Sequence, residues 1–174
     1  MTAKAEIQNR QATDQTTWAS DLVNPEATAN LANALATQAT PGLTVLLEGP
    51  VGAGKSYFAR CAIQSLMAQT GMIEDVPSPT FTLVQTYELD QLDVWHADLY
   101  RLTNPDELIE LGLEQAFDTA LCLIEWPDRL GDLRPAGALN ISLTPDAKDP
   151  DRRFVQINGP SEIVTRLIAA METQ

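Results

Sequence analysis

The sequence GPVGAGKS at residues 49–56 decides the fold of this chain. It matches G-x-x-x-x-G-K-[ST], the pattern of the phosphate-binding P-loop, or Walker A motif. The apolar run at residues 43–47 predicts a strand buried on both faces, and residues 55–69 have a helical pattern that Gly71 ends. A strand before the motif and a helix after it are the context that the motif requires, which disfavours a chance glycine-rich turn. The sequence therefore predicts binding of a nucleoside triphosphate.

Each part of the motif has a chemical task. Glycine is needed where a Cβ would block phosphate from the backbone N–H groups, and the following helix offers its positive N-terminal end to the same anion. Lys55, a catalytic candidate, can reach the β- and γ-phosphates, and the Ser56 hydroxyl can bind Mg²⁺. Mg²⁺ is thus the expected cofactor of the bound nucleoside triphosphate, and the family resemblance described below implies that this substrate is ATP. The residues of the motif region predicted to bind nucleotide are Gly52, Ala53, Gly54, Lys55, Ser56 and Tyr57.

The chain on either side of the motif predicts one domain. Residues 1–17 lack hydrophobic periodicity and are expected to form a flexible tail, and residues 18–174 a single P-loop ATPase domain. Asn24 is a good helix N-cap and Pro25 suits the first helical position, which predicts a helix to about residue 37.

The C-terminal part alternates strand and helix patterns. We expect a β-hairpin from residues 80–88 and 93–99, a helix over 104–117, a strand at 121–124, strands at 138–144 and 153–158, and a helix over 161–171. Apolar strands mixed with helices indicate an α/β fold. The predicted architecture is a three-layer P-loop NTPase with a central mixed, partly parallel sheet and a β-hairpin insertion.

Composition and charge exclude several classes of protein. The 174 residues are 44% hydrophobic and 20% charged, which is not the profile of a disordered chain. Eleven basic residues against 24 acidic ones give a net charge of -13, which disfavours direct binding of nucleic acid by this chain alone. No apolar run is long enough for a membrane span, no secretory signal is visible, and two cysteines make no disulfide framework. The expected location is the cytoplasm.

Two acidic residues lie at the ends of predicted strands. Glu125 follows the apolar run at 121–124, and Asp98 closes the strand that contains His96. A Walker B acid that helps to hold Mg²⁺ is expected at such a position, although an acid at a strand end can also be merely solvated. His96, the only histidine, fits a structural hydrogen bond better than proton transfer.

Five segments together resemble the TsaE family, also called YjeE. They are LEGPVGAGKS at 47–56, SPTFTLVQTY at 78–87, HADLYRL at 96–102, NPDELIELGL at 104–113 and LIEWPDRL at 123–130. The P-loop is generic, but the remaining segments are specific to this family. Its members are small bacterial ATPases that are needed for the threonylcarbamoyladenosine modification of tRNA.

The resemblance implies a role for particular residues. Ser56 and Glu125 correspond to the magnesium-binding hydroxyl and acid, and Asp98 to a second acid needed for hydrolysis. Residues 78–82 correspond to a switch-like loop that faces the γ-phosphate, with Thr80 as its leading hydroxyl. The predicted catalytic set is therefore Lys55, Thr80, Asp98 and Glu125.

The first helix adds a further correspondence, and the motif shows two departures from the family. Glu26 and Thr28 match a Glu-x-Thr segment near the adenine. Members usually have Asp-Leu where this chain has Pro50-Val51, and a threonine where it has Tyr57. Tyr57 keeps its backbone N–H but cannot place a short hydroxyl at the α-phosphate.

The resemblance also implies partners. Proteins of the TsaB and TsaD type carry out the modification, and the ATPase acts with them, with weak hydrolysis when it is alone. Alternatives from the residues themselves are a P-loop small-molecule kinase and a nucleotide-gated interaction module without useful hydrolysis. A kinase usually has a basic lid, and no arginine-rich segment follows Glu125. A GTPase ranks lower because no Asn-Lys-x-Asp segment is present.

Overall fold

The fold is built on one seven-stranded sheet with the order β1-β7-β6-β2-β5-β4-β3. The structure is a computed structural model that describes residues 14–72, 74–104 and 106–173. In chain order its elements are β1 (Gln15–Leu22), α1 (Pro25–Thr37), β2 (Thr44–Glu48), α2 (Lys55–Gln69), β3 (Val84–Leu89), β4 (Leu92–Asp98), α3 (Asp106–Glu110), α4 (Leu113–Thr119), β5 (Leu121–Glu125), a 3-10 segment (Pro127–Leu133), β6 (Leu139–Pro145), β7 (Arg153–Pro160) and α5 (Ser161–Glu172).

The sheet is mixed, which confirms the predicted α/β class. Strand β2 lies between β5 and β6 and is parallel to both, and β4 is parallel to β5. The pairs β3–β4, β6–β7 and β1–β7 are antiparallel. The β3–β4 pair is the predicted hairpin, and it forms one edge of the sheet.

Helices cover both faces of the sheet. Side chains of a strand point alternately to opposite faces, and in β2 the buried Val45 and Leu47 join one core cluster while Leu46 joins another. The first cluster includes apolar residues of α1, α2 and α5, and the second includes residues of α3 and α4. In the described ranges of the chain, no helix is long and apolar enough to cross a membrane.

The predicted N-terminal tail is wrong at its C-terminal end. Residues 15–17 belong to β1, which pairs with β7 along its whole length, from Gln15 opposite Pro160 to Leu22 opposite Arg153. The strand was missed because it is mostly polar and its partner lies at the far end of the sequence. Of the rest of the predicted tail, Asp14 accepts the Ser161 N–H at 2.8 Å, and residues 1–13 lie outside the described residues.

Two further expectations need correction. Residues 80–82 are in turns and Leu83 is a bend with a φ of 64°, so the first hairpin strand begins only at Val84. The helix predicted over residues 104–117 is split into α3 and α4 at Gly112, whose φ is 77°. Pro105, part of its predicted start, lies outside the described residues. The 3-10 segment Pro127–Leu133 was not predicted either.

Candidate functional site

The candidate site is built around residues 49–54, here called the glycine-rich loop, which join β2 to α2. Gly49 has a φ of 138°, and a Cβ on it would lie 2.3 Å from the carbonyl oxygen of Leu143. Gly54 is the N-cap of α2, with a left-handed φ of 101° and no side chain to cap the helix. The first backbone N–H groups of α2 are therefore available to an anion, aided by the helix dipole.

Lys55 folds back over this loop. Its Nζ donates to the carbonyl oxygens of Gly49 at 2.7 Å and Pro50 at 2.9 Å, and it lies 4.0 Å from the centre of the Trp126 ring. The side chain is buried, and this burial lowers the pKa of Lys55, whereas the negative charges of Glu125 and Asp98 act in the opposite direction. The ammonium group thus lies at the loop, beside acidic groups that favour its charged form.

Glu125 connects the loop to the centre of the sheet. It ends β5, is 2% exposed, and its Oε2 accepts a hydrogen bond from Ser56 Oγ at 2.8 Å. Its Oε1 lies 2.9 Å from Nε2 of the equally buried His96 on β4. Because a carboxylate only accepts hydrogen bonds, Nε2 carries the proton and donates. Both carboxylate oxygens are therefore fixed in direction.

Asp98 lies directly beside Glu125, since these residues are Cα partners in the parallel β4–β5 pair. Its Oδ2 accepts a hydrogen bond from Thr80 Oγ1 at 2.9 Å, and its Oδ1 accepts one from the Tyr100 N–H at 3.1 Å. The Ser78 hydroxyl in turn lies 2.8 Å from the Thr80 hydroxyl. A buried carboxylate thus anchors the turn that contains residues 78–80.

Two side-chain oxygen atoms near the loop are suitable ligands for a magnesium ion. Mg²⁺ prefers oxygen ligands and is usually bound by one or two carboxylates together with phosphate oxygens and water. Ser56 Oγ and Glu125 Oε2 are already adjacent, and Glu125 is fixed from behind by His96. These two oxygens therefore fit a magnesium site at the N-terminus of α2.

A cavity of about 220 Å³ opens on the α1 side of the loop. Its lining is Pro25, Thr28, Ala53, Gly54, Tyr57, Asp151 and Arg153. Thr28 is 3% exposed and lies in this lining, as does Tyr57, whereas Glu26 is exposed and does not line the cavity. Of the two residues expected near the adenine, the structure places only Thr28 against the cavity.

The structure brings most of the sequence-predicted residues together at the carboxyl ends of the central parallel strands. These residues are Gly52, Ala53, Gly54, Lys55, Ser56, Thr80, Asp98 and Glu125. Glu125 and Asp98 were predicted as site residues because each ends a predicted strand. The carboxyl ends of adjacent parallel strands lie side by side, which brings the two acids together.

Two contacts of the site were not predicted. The expectation that His96 makes a structural hydrogen bond is confirmed, but its partner Glu125 was not predicted. The alternation along β4 could have placed the His96 side chain on the same face as Asp98. Arg153 donates to the loop carbonyls of Ala53 and Gly52. No local pattern identifies Arg153, because only the position of β7 in the sheet brings it to the loop.

Comparisons with known proteins agree on one family. The family model described as "Threonylcarbamoyl adenosine biosynthesis protein TsaE" matches residues 22–154. The chain is similar to the tRNA threonylcarbamoyladenosine biosynthesis protein TsaE of Rickettsia bellii, with 38% identity over 136 residues, 78% of this chain and 91% of that protein. It is likewise 38% identical to the Bacillus subtilis protein of that name over 120 residues, 68% of this chain and 72% of the other. The crystal structure of Bacillus subtilis YdiB superposes with a TM-score of 0.65 and 26% identity, covering 92% of this chain and 95% of that one.

Proposed function

Since the chain belongs to the TsaE family of threonylcarbamoyl adenosine biosynthesis proteins, we propose that it is a magnesium-dependent P-loop ATPase of that pathway. In this proposal it hydrolyses ATP weakly when alone and acts in the cytoplasm with partners of the TsaB and TsaD type. The family places the chain in tRNA modification. The geometry of the site supports the chemistry of ATP.

One observation carries the proposal. The Ser56 hydroxyl contacts the buried Glu125 carboxylate at 2.8 Å, at the helix end that follows a loop of left-handed glycines. A hydroxyl and an acid on neighbouring elements, beside a concave set of backbone N–H groups, is the arrangement that holds Mg²⁺ and phosphates in nucleotide hydrolases. A glycine-rich turn that served only the fold would need neither the acid nor the hydroxyl.

The residues divide the work on the triphosphate. The backbone N–H groups of the loop and of the start of α2 bind the phosphates, and Lys55 exchanges the carbonyl oxygens of Gly49 and Pro50 for phosphate oxygens. Ser56 and Glu125 hold Mg²⁺, which when bound neutralises charge on the phosphates. Asp98 and Thr80 hold the turn at residues 78–80 beside this group.

Weak hydrolysis by the isolated chain follows from its arginines. Arg153 is hydrogen-bonded to backbone carbonyls, and Arg101 stacks at 4.7 Å on the exposed ring of Phe81. Both guanidinium groups are thus already engaged in contacts within the chain. An arginine supplied to the transition state raises turnover by roughly 10³–10⁵ in GTPases, so we expect a partner complex to raise the turnover of this chain.

The test is ATP turnover with and without a TsaB–TsaD complex. The wild type should hydrolyse ATP slowly and be stimulated by the complex, and Lys55→Ala should lose roughly 100-fold or more of the stimulated rate because it lacks the phosphate-binding cation. Lys148→Ala, which removes an exposed lysine, is the matched control and should behave as wild type. Transfer of the γ-phosphate to a metabolite, or equal turnover by Lys55→Ala and wild type, would contradict the proposal.

A second variant separates hydrolysis from simple gating by nucleotide. Glu125→Gln should still bind Mg·ATP but lose turnover, together with the ability to support tRNA modification in cells. Full modification by this variant would mean that the protein works without hydrolysis.

A further inference from the structure

Arg153 is the first residue of β7, and within the described residues every hydrogen bond of its side chain goes to a backbone carbonyl oxygen. Its Nε donates to Ala53 at 3.0 Å and its Nη2 to Gly52 at 3.3 Å, both in the glycine-rich loop. Its Nη1 donates to Pro150 at 2.6 Å and to Arg152 at 2.8 Å, in the loop that joins β6 to β7. One partly buried guanidinium therefore joins two loops that are 100 residues apart in the sequence.

The contacts of Arg153 differ from those of two other arginines, which form ion pairs. Arg152 and Arg134 are paired with the carboxylates of Asp21 and Glu48. Among the described residues of this very acidic chain, no carboxylate lies within ion-pair distance of Arg153. Arg153 therefore contacts the loop through hydrogen bonds to carbonyl oxygens and not as part of an ion pair.

The hydrogen bonds of Arg153 set the orientation of the loop peptides. A trans peptide is planar, so its C=O and N–H groups point in opposite directions. Arg153 holds the carbonyl of Ala53 on its own side, which turns the N–H of Gly54 the other way. The peptide between Gly52 and Ala53 is fixed in the same manner, and its N–H also donates to Pro50 at 3.1 Å.

Two backbone hydrogen bonds also act on these peptides, from the Ala53 N–H to Pro50 and from the Phe58 N–H to Gly54. Side-chain packing against the two glycines, in contrast, is sparse. Nothing lies within 4 Å of the position where a Cβ of Gly52 would be, and the one group that a Cβ of Gly54 would meet is Nε of Arg153, at 3.9 Å. Glycine accepts a wide range of φ and ψ, so an unsupported loop with two glycines around Ala53 would sample many peptide orientations.

We propose that Arg153 is a positioning residue for anion binding: it fixes the peptides of Gly52, Ala53 and Gly54 so that the loop is ordered before a triphosphate arrives. This inference rests on the proposed function, because it takes the anion to be the triphosphate of Mg·ATP. If the loop is ordered in advance, binding loses less conformational entropy, and the affinity is higher. Arg153 does not need to touch the nucleotide for this effect.

The first arm of the test uses the protein without nucleotide. We expect the backbone amides of residues 52–54 to have NMR order parameters of a rigid backbone in the wild type, and clearly lower ones in Arg153→Gln. Arg152→Gln is the matched control, since it removes the neighbouring guanidinium and an exposed ion pair with Asp21 but no contact of the loop. Equal order at residues 52–54 in wild type and Arg153→Gln would overturn the inference, whatever the protein binds.

The second arm measures the dissociation constant of Mg·ATP by calorimetry. Arg153→Gln should bind about tenfold more weakly than wild type, because binding must then order the loop backbone that Arg153 orders in advance, and Arg152→Gln should be unchanged. A loosened loop with unaltered affinity would overturn the inference. Absence of binding by the wild type would instead refute the proposed function, while the first arm would still decide whether Arg153 orders the loop.

Arg153→Lys completes the design and serves if Arg153→Gln fails to fold. Lysine keeps the charge but cannot donate from a planar fork to Ala53 and Gly52 together. We expect it to resemble Arg153→Gln in both arms. Wild-type affinity in Arg153→Lys would mean that charge alone matters and would overturn the positioning role.

Discussion

His96 is the residue on which the orientation of Glu125 depends. Both side chains are almost fully buried, and their contact at 2.9 Å satisfies the carboxylate oxygen that faces away from Ser56. A buried carboxylate that loses a donor carries the full cost of its desolvation. The imidazole is therefore as much a part of the site as the acid that it holds.

Replacement of His96 should affect both stability and turnover. We expect His96→Leu to lower the free energy of unfolding by about 1–3 kcal/mol, because Oε1 of Glu125 is then buried without a partner. It should also reduce ATP turnover, because the carboxylate is free to rotate away from Ser56. Urea denaturation and a phosphate-release assay measure the two effects.

His96→Gln provides the control for this prediction. Its side-chain amide can still donate to Glu125, so it should recover part of the turnover that His96→Leu loses. If both variants lost turnover equally while Ser56 and Glu125 remained in place, the imidazole would have a task other than orienting the carboxylate.

Among the elements, α3 and α4 are separated by two residues, Leu111 and Gly112. Gly112 has a φ of 77° as the N-cap of α4, and a Cβ placed there would meet only Trp95, at an ordinary distance of 3.6 Å. Glycine is therefore favoured at position 112 because of its left-handed backbone conformation, and not because a larger side chain would clash. The break turns the chain between two segments that local patterns predicted to be continuous.

Gly112→Ala should therefore destabilise the fold by about 1–2 kcal/mol, the usual cost of a left-handed conformation for an L-residue. Gly137→Ala is the matched control, because Gly137 has no positive φ in the left-handed range and nothing lies within 4 Å of its Cβ position. Thermal melting of both variants measures the difference. A stable Gly112→Ala protein with one continuous helix would show that the break is not required.

The sequence predicted best those elements whose signal is local. The start of α1 follows from the Asn24 cap, which accepts the N–H of Ala27 at 2.8 Å, and β2 follows from its apolar run. Strand β1 escaped prediction because pairing with β7 defines it, and its exposed and partly buried residues alternate with little apolar content. A strand that is defined by pairing with a segment distant in sequence cannot be predicted from the local pattern.

The same division holds for the candidate site. Glu125 and Asp98 could be placed together, since both end parallel strands and such ends meet. Arg153 could not, since it reaches Ala53 only through the register of β6 and β7. Contacts set by the order of strands in a sheet are not visible in any short window of sequence.

At the scale of the whole molecule, charge is the dominant property. A net charge of -13 repels the phosphates of RNA, so the chain alone should show no band shift with tRNA in a native gel at low salt, where attraction would be strongest. The same tRNA with the TsaB–TsaD complex is the control. A salt-sensitive shift by the isolated chain at micromolar concentration would reveal a basic surface that composition alone hides.

The pairing of β1 also constrains how the molecule is made. Gln15 and Leu22 pair with Pro160 and Arg153, so β1 cannot pair until β7, which is synthesised much later, has left the ribosome. The long delay favours completion of the rest of the sheet before its outermost strand is added. A chain truncated before residue 153 would lack β7, so the backbone of β1 would have no strand to pair with. Such an unpaired segment would be exposed to quality-control proteases.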